Sequence, residues 1–220
     1  MLAKLPLRTV KTHSSILRVA LASATRTLVA EEGLQSISSG YLNRVSILPE
    51  AKSRFVNNDL TADEVWKATE ELEASAATHL GRLLFAFSRL DVALGLCLVW
   101  ADGGKEIDAL TPKVTALTFN QKLDALTVLV KSKFPERSNK RLAWVQWIEH
   151  AHMARTLRNQ LIHGRWGVDP YAAEAINVIG LPTSPEQREV RYSLQTLADA
   201  VTEIGRLQSC LRQLCDQRPV

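Results

Sequence analysis

Apolar residues recur at spacings of three and four along most of this chain, the period of amphipathic helices. The first clear start is Thr61-Ala62-Asp63-Glu64, where a Thr hydroxyl can serve the orphan N–H groups and a Glu three residues later closes a capping box. A long helical pattern follows to about Ala101, and Leu80, Leu83, Leu84, Phe87, Leu90, Leu94 and Cys97 form its inward stripe. Asp102-Gly103-Gly104 ends it. A second helix is predicted from about Asn120 to Lys133, with Leu123, Leu126, Leu129 and Val130 inward and Pro135 as its stop. Ser138 caps a third, whose inward residues are Leu142, Val145, Ile148, Leu157 and Leu161 and which ends at Gly164.

Beyond Pro170 the period shortens to two. Ala175-Ile176-Asn177-Val178-Ile179 and Glu189-Val190-Arg191-Tyr192 are short and β-rich, and the turn-forming run Gly180 to Pro185 separates them, so a small hairpin is predicted. Ser193 opens the last helix, with Leu197, Val201, Ile204, Leu207, Leu211 and Leu214 on one side. The pattern as a whole predicts an all-α fold: a bundle of four to five helices with a β-hairpin inserted before the last. Residues 61–217 form this domain. Residues 1–60 are read as a basic N-terminal segment, helical or loosely attached.

Composition changes this picture little. The chain has 220 residues, 46% of them hydrophobic and 23% charged, which suits a globular domain with a tail. No apolar run approaches the ~20 residues that span a bilayer. The best candidate, Val92 to Trp100, starts just after Asp91 and reads as a buried helix segment, so no membrane association is expected. The net charge of +4 suggests nucleic acid, but residues 1–40 carry five Lys or Arg against two Glu, which is +3. The other 180 residues therefore hold only +1 (4 − 3), so an RNA-binding surface would have to be a local patch. Residues 1–30 lack acids, a composition shared with mitochondrial transit peptides, but Arg18 interrupts the apolar run. An accessory segment, or a translation start placed too early, is the simpler reading. Cys97, Cys210 and Cys215 show neither zinc spacing nor a paired framework, which points to a reducing, cytoplasmic setting.

The chemistry concentrates at the end of the third helix. Glu149, His152, Arg155, Asn159 and His163 follow one another at spacings of three and four, a polar stripe about 120° wide on an ideal helix. Arg158 lies about 140° from His163 on such a helix, so the two converge only if the helix unwinds near Gly164 or a symmetry mate supplies one of them. Asp91 sits among apolar neighbours, where an unpaired carboxylate is costly. Either it pairs with Arg158 or Arg155, or it lies on the exposed side and pairs with nothing. Glu149-x-x-His152 matches half of a di-iron carboxylate site, but the second half is missing, so neither metal nor cofactor is expected. Trp144, Trp147 and Trp166 could stack on bases, although aromatics on a helix belong more often to a core or a dimer interface.

Arg158-Asn159-x-x-x-His163, within Leu157-Arg158-Asn159-Gln160-Leu161-Ile162-His163-Gly164-Arg165-Trp166, resembles the Arg-polar-x(3 to 5)-His signature of HEPN (higher eukaryotes and prokaryotes nucleotide-binding) domains. The resemblance extends to the order of elements and covers residues 62–215. It implies a homodimer formed through the motif helix and a metal-independent endoribonuclease, with a toxin or defence role and a protein antitoxin among its associations. Under it, His163 is the acid/base group, Arg158 holds the scissile phosphate, and Asn159 orients either by hydrogen bonding. Arg155, Asp91 and His152 are supporting candidates. The family also contains inactive members, so a non-catalytic helical module that binds a protein partner or nucleotide stands as the alternative. A plain helical scaffold, with the motif a solvated helix end, is the third reading.

Overall fold

The computed structural model describes residues 61–216, and the predicted N-terminal segment 1–60 lies outside them. Five helices and one small sheet make up the described chain: α1 (Ala62–Val99), α2 (Ile107–Thr115), α3 (Phe119–Lys133), α4 (Asn139–Ile162), β1 (Arg165–Asp169), β2 (Glu174–Ile179), β3 (Arg188–Ser193) and α5 (Leu194–Asp216). The helical bundle with a β insertion before its last helix is therefore present.

Local sequence sets the helix starts. Thr61 and Glu64 form the expected capping box, with the Glu64 carboxylate accepting from the Thr61 backbone N–H at 2.8 Å. Thr118 and Gln121 build a second box at the head of α3, and Ser138 accepts from the Arg141 N–H to open α4. The inward stripe of α1 holds Leu83, Phe87, Leu90, Leu94 and Leu98, and it packs most extensively on α5. Leu197, Ile204, Leu207 and Leu211 answer from α5. Trp147 joins α4 to α5 by donating its indole N–H to the Leu207 carbonyl at 2.9 Å, so a buried aromatic finds the partner its polar atom requires. Trp144 and Trp147 are both core residues, packed edge to face.

Four expectations need correction. The hairpin is a three-stranded antiparallel sheet, ordered β1-β2-β3, because Arg165–Asp169 adds an edge strand next to β2. Asp169 makes the β1–β2 turn by accepting from the Tyr171 and Ala172 N–H groups, and Ala173 takes a positive φ of 52° to complete it. Residues Ile107–Thr115 form a helix the periodicity did not predict. Leu84 and Leu142, both expected inward, are 44% and 53% exposed. Leu84 sits at the margin of the α1 stripe, about 100° from Leu83, whereas Leu142 lies on the face of α4 opposite Trp144, Trp147 and Ala151.

Candidate functional site

The site begins with the way α4 ends. A helix leaves its last carbonyls without intrahelical donors, and a half-buried helix end must satisfy them from elsewhere. Here three consecutive carbonyls find donors. Asn159 O accepts from the His163 backbone N–H at 3.1 Å. Gln160 O accepts from the Asn177 side-chain amide at 2.9 Å, and Leu161 O from the Trp166 indole N–H at 2.9 Å. Asn177 and Trp166 face each other across the β1–β2 ladder. Gly164 makes the arrangement possible, since a Cβ there would collide with the Asn177 carboxamide. His163, the capping residue of α4, is exposed to solvent.

Arg158 lies one turn before this end and is half-buried. Its guanidinium carbon stands 5.4 Å from the centre of the Phe87 ring, a cation–π contact with α1. Phe87 is in turn packed on Phe119 at the head of α3, 4.7 Å between ring centres. One terminal nitrogen of Arg158 donates to the Asn159 side-chain oxygen at 3.1 Å, while its buried Nε has no partner. Arg155, one turn earlier, is also half-buried with an unpartnered Nε. Among the described residues no carboxylate forms an ion pair with either arginine.

Asp91 departs from both readings offered for it. It pairs neither with an arginine of α4 nor with nothing: its carboxylate holds the Lys122 ammonium at 2.7 Å. Lys122 is 6% exposed and lies against Gly95, so α1 and α3 share an ion pair that leaves α4 without this acid. His152 is half-buried on α4. Burial holds its pKa below the ordinary value, the nearby Arg155 charge adds to that, and Asp124 of α3 opposes it. Burial likewise raises the pKa of Tyr192, with Arg188 opposing.

The structure thus seats Arg158 on Phe87 with Asn159 hydrogen-bonded to it, and sets His152 within electrostatic range of Arg155 and Asp124. It leaves His163 apart from Arg158, with no hydrogen bond between them. Among the described residues no three His, Cys, Asp or Glu side chains are grouped to hold a metal ion, and no helix is long and apolar enough to cross a membrane. Sequence reasoning missed Phe87 as the seat of Arg158, Lys122 as the partner of Asp91, and Asn177. The last left a trace, a lone amide inside the apolar run of β2. Comparison of the chain with protein-family models, with curated proteins and with solved structures finds no match.

Proposed function

We propose that this chain is a HEPN-like, metal-independent endoribonuclease that works as a homodimer through α4 and cleaves RNA by 2′-hydroxyl attack. The observation that carries the reading is the state of Arg158: a half-buried guanidinium with an unpartnered Nε and, among the described residues, no carboxylate ion-paired with it. Arg keeps its charge at any physiological pH, and burying charge without a counter-charge is costly. A phosphodiester supplies the missing anion, and the planar donor fork, oriented by Asn159 and by the Phe87 face, suits its oxygens.

In this reading Arg158 binds a non-bridging phosphate oxygen and stabilises the charge that grows there. His163 takes the proton of the 2′-hydroxyl as O2′ attacks phosphorus. The bond from phosphorus to the 5′ oxygen breaks, its electron pair leaves with that oxygen, and His163 of the second protomer returns a proton to it. The products are a 2′,3′-cyclic phosphate and a 5′-hydroxyl end. A toxin or defence component, held in check by a protein antitoxin, fits such an activity. The separation of Arg158 from His163 within one protomer favours the second reading, a helical module that binds a nucleotide or a protein without catalysis.

The test is RNA cleavage in EDTA by the purified full chain, with product ends identified, beside Arg158→Ala and His163→Ala. Sedimentation and circular dichroism check that all three are folded dimers. Each substitution is expected to lower the rate on the order of a hundred-fold or more. Folded wild-type dimer that cuts no RNA, or cleavage that neither substitution changes, overturns the proposal. RNA binding lost in Arg158→Ala but kept in His163→Ala, without cleavage in any, identifies the binding module.

A further inference from the structure

The sheet does more at the end of α4 than fill space. Asn177 is fully buried, and its side-chain amide N–H donates to Gln160 O at 2.9 Å. Trp166 supplies Leu161 O from the paired position on β1, and its ring rests against the buried Tyr192, 5.7 Å between ring centres. Two donors on one rigid ladder therefore hold two successive carbonyls. Both bonds fall at the last turn of α4, and His163 leaves the helix there with φ −95° and ψ 8°. One further helical residue would turn each following side chain by about 100° about the axis.

We propose that Asn177 and Trp166 are positioning residues, which act through the backbone of α4 to set where His163 stands relative to Arg158. The proposal rests on the ribonuclease reading for its catalytic consequence, but its structural half can be measured without RNA. A misplaced acid/base group costs rate and leaves substrate affinity largely intact, since Arg158 and its seat on Phe87 lie a turn away. A purely structural role would cost stability alone.

The test uses the full chain carrying Trp166→Phe, which removes the indole donor with its five-membered ring and keeps an aromatic ring beside Tyr192, or Asn177→Leu, which removes the amide donor and keeps the branching of the side chain. Tyr192→Phe serves as a control on the same sheet. Two quantities are read: kcat and KM for RNA cleavage in EDTA, and the imidazole NMR resonances of His163, assigned with His163→Ala. Both clamp variants are expected to lower kcat on the order of ten-fold or more, keep KM within about two-fold, and shift the His163 resonances. Tyr192→Phe is expected to do neither. Unchanged kcat and unmoved His163 resonances in Trp166→Phe, whatever its thermal stability, overturn the proposal. So does a rise in KM with kcat held. If the wild type cuts no RNA, the ribonuclease reading fails on its own. The His163 resonances then decide: a shift in the variants supports the clamp and unmoved signals overturn it.

Discussion

Lys122 shows how one charged residue can be kept inside a small helical core. Its aliphatic stem runs past Gly95, where the missing side chain leaves room, and its ammonium ends on the Asp91 carboxylate at 2.7 Å. The Lys122 side chain is 8% exposed and that of Asp91 37%, so the acid keeps part of its hydration and the base does not. Removing the acid strands the base. Asp91→Ala should therefore destabilise the fold by about 3 kcal/mol, near the low end for a broken buried pair. Lys122→Met in the same chain should recover most of that loss, because no buried charge is left behind. Urea denaturation of the wild type, the single variant and the double variant checks both statements, and a double variant as unstable as Asp91→Ala would refute the account.

Among the elements, α4 is defined by its two ends. Ser138 starts it by a purely local bond, whereas the far end is closed by a sheet that follows in sequence and folds back. Gly164 is the point of contact between the two. Gly164→Ala drives a methyl group into the Asn177 carboxamide, and overpacking of that kind costs about 1–3 kcal/mol. With Asn177→Ala already present the collision partner is gone, so adding Gly164→Ala should then cost much less. Thermal or urea unfolding of the four members of this cycle measures the coupling, and full additivity would show that the two positions do not meet.

For the molecule as a whole, His152 links stability to pH. Its pKa in the folded protein lies below the ordinary 6.5, first because it is buried and then because of Arg155. The unfolded chain thus binds the proton more readily than the folded one. The stabilising contribution is complete above 6.5 and is lost as pH falls through that value toward the lower folded pKa. Melting temperatures taken from about pH 8 to about pH 5 should fall at the acid end, and His152→Gln should flatten that part of the curve. A slope that survives the substitution would assign it to other groups.

Much of the fold was legible because it rests on neighbours in sequence. The capping residues Thr61 and Ser138, the stripe through Leu83, Phe87, Leu90 and Leu94, and the breakers Gly103 and Pro135 act within a turn or two, and a one-dimensional pattern records them. The helix Ile107–Thr115 escaped because Pro112 stands inside it, and a proline reads as a stop unless packing of Leu110 and Val114 overrides it. Strand Arg165–Asp169 escaped because it is five residues long, contains Gly167, and owes its shape to pairing with β2. At the site, the string from Arg158 to His163 by itself determined which side chains could carry chemistry and that they sit at a helix end. Only the tertiary structure decided which of them meet. Arg158 settles on Phe87 from another helix, Asp91 turns to Lys122 instead, and Asn177 closes α4 from seventeen residues away. Periodicity tells which way a side chain faces, whereas the choice between competing partners is made by three-dimensional packing and charge.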